Sequence, residues 1–167
     1  MRCEQCARKG TFSVSIEGSE CARPANIMFA REIATTFEEK GRLLEDALAC
    51  ISRSLVRDER ELLRVRVSLD EGLQNAFSHG NQADPAKRIR LEIFEDEEAW
   101  GVIIADQGGG FTKDAVRDPR TPEGRAREHG RGLMIMWKFM DDVAYFDGGR
   151  TLRLLKRKKA QRNLVTA

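Results

Sequence analysis

The chain has 167 residues, 41% of them hydrophobic and 34% charged, with a formal net charge of +2. That is enough for one globular domain with its own core, and it lacks the basic excess of a dedicated nucleic-acid binder. No apolar run approaches the ~20 residues that cross a bilayer, and the opening Met1-Arg2-Cys3-Glu4-Gln5-Cys6 is no signal peptide, so a cytoplasmic protein with reduced cysteines and no membrane or direct nucleic-acid partner is expected.

Residues 1–26 read as an N-terminal extension and residues 27–167 as the main domain. Cys3 and Cys6 form a Cys-x-x-Cys pair with Cys21 further on. The pair is half of a zinc site and Cys21 offers a third ligand, but no fourth is evident nearby, so free or redox-active thiols are the expected reading and bound metal the alternative. Weak alternation over Thr11–Ile16 suggests a strand, and Arg31–Phe37 suggests another. Leu43, Leu44, Ala47, Leu48, Ile51 and Leu55 recur at helical spacing, and Cys50 falls in that pattern as a core residue. Asp58, with Glu61 three residues on, marks the start of a second helix that should run to about Ser78 and stop near Gly80-Asn81.

Ile89, Leu91 and Ile93 alternate in a strand. Trp100–Ala105 is an apolar run of the kind a buried strand has, and the acidic Glu95-Asp96-Glu97-Glu98 joins the two as a solvated turn. Residues 107–131 read as irregular. Leu133–Met140 reads as a helix, with its methionines and Trp137 in the core. Val143–Phe146 and Thr151–Leu155 read as strands joined at Asp147-Gly148-Gly149, a strong hairpin signal. Lys156-Arg157-Lys158-Lys159 with Arg162 reads as a solvated basic tail. The order implies an α+β two-layer sandwich: a mixed, mostly antiparallel sheet covered on one face by helices.

Three motifs carry chemistry. Glu71, Asn75 and His79 are spaced by four and line one side of the second helix, off its apolar stripe. An amide oxygen suits Mg²⁺, and a carboxylate one turn away can orient or deprotonate a nucleophile beside a phosphate. His79 alone reads as a structural hydrogen-bonding residue. Asp106, at the end of a buried strand, heads Asp106-Gln107-Gly108-Gly109-Gly110. Its carboxylate can accept from an exocyclic amine, and the glycines let a ligand approach the backbone. Gly130-Arg131-Gly132-Leu133 leads into the last helix, whose free N–H groups attract anions.

The ordered set Glu71-x-x-x-Asn75, Asp106-x-Gly108-x-Gly110 and Gly130-x-Gly132 resembles the GHKL ATPase superfamily. The segment from Val116 to Thr121-Pro122-Glu123 and on to Leu133 resembles the short ATP lid of the anti-sigma-factor serine kinases. The segment Leu69–Gly80 is similar to theirs too. The match covers about residues 30–156, and the cysteine-bearing extension departs from the simple family pattern. The resemblance implies ATP and Mg²⁺ as cofactors, Glu71 as general base, Asn75 as Mg²⁺ ligand and Asp106 as the acceptor for the adenine amine. It implies that Gly108, Gly110, Gly130, Gly132 and Leu133 shape the nucleotide site and that Arg131 reaches phosphate. It also implies a homodimer that phosphorylates a STAS-type anti-anti-sigma protein on serine or threonine and holds a sigma factor. The alternative is a nucleotide-sensing module that sequesters a regulator with little phosphotransfer. A histidine-kinase role is disfavoured, because no preceding helical pair carries a phospho-acceptor histidine.

Overall fold

The computed structural model describes residues 15–16, 19–111 and 128–158. Strand β1 spans Ser15–Ile16 and β2 spans Ile27–Ala34, so the strand expected at 31–37 lies earlier. Helix α1 (Phe37–Ser54) begins where the Thr36 hydroxyl accepts a hydrogen bond from the Glu39 amide at 3.3 Å. Thr36-x-x-Glu39 is a capping spacing, and it converts Phe37 from a strand residue into the first residue of a helix. The Phe37 ring is 69% exposed yet lies 4.5 Å from that of Phe77. Along α1 the expected apolar stripe is buried through Leu43, Leu44, Ala47, Leu48 and Ile51, and Cys50 packs against the core beside it.

Helix α2 (Glu59–Gln74) starts at Asp58, which accepts from the Glu61 amide at 2.7 Å. At Asn75 the chain widens into a π-helical turn, Asn75–Gly80, and the Asn81 amide reaches back to the Ala76 carbonyl at 2.8 Å. The periodicity that suggested one helix to Ser78 thus continues with a changed pitch. Single π turns of this kind collect at functional sites.

Strands β3 (Arg88–Glu95) and β4 (Ala99–Ala105) form the expected hairpin. Asp96 closes its turn by accepting from the amides of Glu98 and Ala99 at 2.9 and 2.7 Å. Helix α3 spans Glu128–Phe139, followed by β5 (Asp142–Phe146) and β6 (Thr151–Arg157). The β5–β6 turn holds Asp147, Gly148 and Gly149 at φ 52°, 63° and 93°, a left-handed run that two glycines make affordable. The six strands lie in the order β1-β5-β6-β4-β3-β2, antiparallel throughout except for the β1–β5 pair. Leu43, Leu69, Leu73 and Met136 from the helices pack with Ile89, Leu91, Ile104 and Leu154 from the sheet in one core. The α+β sandwich expected from the element order is the architecture observed.

Two further expectations are corrected. Helix α3 begins at Glu128, five residues before Leu133, so Gly130 and Gly132 sit inside its first turns and do not precede it. The basic run is not simply a solvated tail. Lys156 lies in β6 only 8% exposed, with Nζ 2.5 Å from the Glu61 carboxylate, 4.0 Å from that of Asp141 and donating to the Phe139 carbonyl at 2.9 Å. Lys158 pairs with Glu95 at 2.7 Å. The alternation of β6 carries Lys156 inward, where its charge is matched as buried charges must be. Cys3, Cys6, Lys159, Arg162 and the segment 112–127 lie outside the described residues.

Candidate functional site

The end of α2, its π turn, the loop after β4 and the start of α3 converge. Glu71, in the last turns of α2, is half-buried with its carboxylate against Gly132 of α3. A Cβ at position 132 would fall on Oε2. Burial, and then the neighbouring Asp70, push the Glu71 carboxyl above its ordinary range, while Lys40 pulls it back. The Lys40 ammonium is itself held by Gln74 Oε1 at 2.6 Å and Asp70 at 3.3 Å. A carboxylate whose proton affinity is raised by desolvation is a better base than a solvated one.

Asn75 opens the π turn one helical step from Glu71. Its side chain hydrogen-bonds the hydroxyl of Tyr145 in β5 and lowers that phenol's pKa, against a larger upward push from burial. A side-chain amide that donates to a phenol keeps its oxygen as an acceptor. Tyr145 also meets Phe111 edge-on, with centroids 4.8 Å apart. His79, the third residue of the line, is exposed.

Asp106 leaves β4 with its amide donating to the Arg150 carbonyl at 3.0 Å. Its Oδ1 accepts from the Gly108 amide at 2.8 Å. Burial pushes its pKa up to about 6, opposed by the Gly108 bond, Arg150 and Lys87. Asp106 is therefore a desolvated acceptor, suited to a ligand N–H. The glycines around it serve close backbone contacts as well as access. A side chain at Gly80 would strike the Asp106 carboxylate, and one at Gly108 would strike the Gly80 carbonyl. Gly110, at φ 71°, backs onto the Gly148 carbonyl, which also accepts from the Phe111 amide at 2.8 Å.

The structure thus brings Glu71, Asn75, Gly132, Asp106, Gly108 and Gly110 to one end of the helical layer. Gly130 lies in the first turn of α3 and Arg131 is exposed. Leu133 is a core residue, 7% exposed, so its side chain contributes packing. Gly80, Asn81, Lys40 and Tyr145 belong to the arrangement and were not singled out from the sequence. Gly80-Asn81 reads as a helix stop, and Lys40 and Tyr145 reach the site only through tertiary contacts.

Among the described residues no three His, Cys, Asp or Glu side chains gather as a metal site. Among the same residues no helix is long and apolar enough to cross a membrane.

Residues 22–156 match the family model for the histidine kinase-like ATPase domain. The chain is 30% identical over 101 residues to the anti-sigma F factor of Bacillus cytotoxicus, covering 58% of this chain and 69% of that one. It is 29% identical over 101 residues to the anti-sigma F factor of Bacillus subtilis, with the same coverage. Against that of Clostridium perfringens it is 26% identical over 102 residues, 59% of this chain and 73% of the relative. The desolvated Asp106, the amide at the head of the π turn and the helix start opposite Glu71 are thus parts of an ATP-using domain, and the chain belongs to the histidine kinase-like ATPase domain family, within the GHKL superfamily.

Proposed function

We propose that this protein is a serine/threonine kinase and anti-sigma factor. It would transfer the γ-phosphate of Mg-ATP to a hydroxyl on a STAS-type anti-anti-sigma protein, and hold a sigma factor when that partner is phosphorylated. The observation that carries the reading is Glu71. Nucleotide binding alone has no use for a half-buried carboxylate of raised proton affinity, whereas phosphotransfer needs a group that positions and deprotonates the attacking hydroxyl. The names of the anti-sigma F relatives support a sigma factor as partner.

In this reading Asp106 accepts the adenine amine, and Asn75 Oδ1 helps hold Mg²⁺. Gly108 and Gly110 shape the purine side, while Gly130, Arg131, Gly132 and the amides opening α3 face the phosphates. Mg²⁺, when bound, supplies charge neutralisation at the phosphates. The division into an extension (1–26) and a kinase domain (27–167), a homodimer and a cytoplasmic location belong to the same reading. The test is transfer of label from γ-labelled ATP to purified STAS-type proteins of the source organism. Labelling of a serine or threonine supports the kinase. Binding of both ATP and a sigma factor without labelling of any such protein would leave the nucleotide-sensing module in its place.

A further inference from the structure

Asn81 is fully buried, 0% exposed, where the sequence shows only the end of a helix. Its amide makes every bond that three short contacts allow. Nδ2 donates to Thr35 Oγ1 at 2.8 Å and to the Arg88 carbonyl at 2.9 Å. Oδ1 accepts from the Gln107 amide at 2.8 Å. The frame behind it is also tied, since Thr35 Oγ1 donates to the Lys87 carbonyl at 2.9 Å and the Arg88 amide donates to Gln107 Oε1 at 2.7 Å. One side chain thus joins the end of β2, the start of β3 and the residue next to Asp106. Gly80, immediately before it, backs onto the Asp106 carboxylate, and the Gly80 carbonyl lies against Gly108.

We propose that Asn81 is a positioning residue for purine recognition, clamping the Asp106 loop to the β2–β3 corner so that the Asp106 carboxylate meets the six-position of the ring at a fixed depth. The inference rests on the reading of Asp106 as the acceptor for the adenine amine. An apolar residue could fill this space, but only a group with two donors and an acceptor at these angles ties the loop to the frame, and a buried network of this kind specifies one geometry when all its members are satisfied. Fixed depth matters because selectivity between an amine and a carbonyl comes from an acceptor that cannot retreat.

The test compares ADP with IDP, which differ at the six-position, in calorimetric titrations of wild type, Asn81→Ala and Thr35→Val, each also checked for its unfolding transition. Wild type should favour ADP by about ten- to hundredfold, the factor an unpaired polar contact commands. In Asn81→Ala that ratio should fall toward unity through loss of ADP affinity, with IDP affinity changed less than about threefold, the measured discrimination being the quantity at issue. Thr35→Val removes one of the two frame-side partners, and its ratio should fall between the two. It decides the matter if Asn81→Ala does not fold. ADP and IDP affinities that drop together would make Asn81 a purely structural residue and overturn the inference, as would a folded variant with the wild-type ratio. Equal binding of ADP and IDP by wild type would overturn the Asp106 reading first, and this inference with it.

Discussion

Gly132 of α3 stands opposite the carboxylate of Glu71, and Gly108 stands opposite the carbonyl of Gly80. The same substitution at these two glycines should have opposite effects on stability. At Gly132 the obstacle is the end of a flexible side chain, and alanine inside a helix is favoured over glycine by about 1 kcal/mol. Gly132→Ala should therefore unfold at equal or higher urea concentration while displacing Glu71 and lowering phosphotransfer at least tenfold, about 1.4 kcal/mol in the barrier. At Gly108 the obstacle is backbone that cannot swing aside, so Gly108→Ala should lose about 1–3 kcal/mol. Urea titrations of both variants check the contrast.

Glu71→Gln should bind ATP with nearly wild-type affinity and transfer phosphate about 10²–10⁴-fold more slowly, the range general-base catalysis supplies. The low end is expected where positioning and charge stabilisation dominate. Because the Glu71 carboxyl is raised above its ordinary 4.5, the acidic limb of the wild-type transfer rate should lie above that value, with activity growing as the base loses its proton. A single-turnover pH series on both proteins reads the limb and its disappearance in the variant. Transfer by Glu71→Gln at the wild-type rate would return Glu71 to a structural role.

Burial pushes the Asp106 carboxyl up to about 6 in the folded protein, from 3.8 for an ordinary aspartate. A ligand amine favours the charged carboxylate, so adenine nucleotide affinity should rise with pH through about 6 and level off above about 7. Without ligand the sign for stability is reversed. The folded state holds the proton more tightly than the unfolded chain, so this group's contribution falls as pH rises from about 4 to about 6. Asp106→Asn supplies the baseline that removes the nucleotide's own phosphate ionisation, and the difference between the two calorimetric pH profiles is the signal. GTP, whose six-position carbonyl faces the same carboxylate, should bind about ten- to hundredfold more weakly than ATP.

Asn75→Ala should weaken Mg-ATP binding more than metal-free ATP binding, because the substitution removes the amide oxygen. Tyr145→Phe removes the hydroxyl that steadies the same amide and should show a smaller loss of the same kind, as loss of an orienting partner does. Titrations with and without Mg²⁺ separate the two. An unchanged magnesium dependence in Asn75→Ala would take the amide out of the metal site.

The legible parts of this sequence are those governed by local periodicity and turn chemistry. The stripe of α1, the alternation of Ile89, Leu91 and Ile93, and Asp147-Gly148-Gly149 each announce their element. Phe37 misleads because an aromatic at the end of an apolar run looks like a strand, while Thr36-x-x-Glu39, which starts the helix, is a weaker mark. Of the site, Glu71, Asn75 and Asp106 were readable as a spaced set. Tyr145 behind Asn75 and the Gly80–Gly108 contact were not, because each joins residues far apart in the chain. Asn81 escaped for a further reason. A polar residue after a glycine at a helix end normally faces water, and only the π turn carries this one inside.

The parallel pairing of β1 with β5 has a consequence for how this protein can be handled. Ser15 and Ile16 sit beside Ala144 and Tyr145, and the Asp147 amide donates to the Ser19 carbonyl at 3.1 Å. Trimming the chain at residue 27, the limit suggested by composition, would strip β5 of that neighbour and leave a bare strand edge of the sort that invites sheet-to-sheet aggregation. The strand so exposed carries Tyr145, so a shortened protein would be at risk both of self-association and of a loosened Asn75.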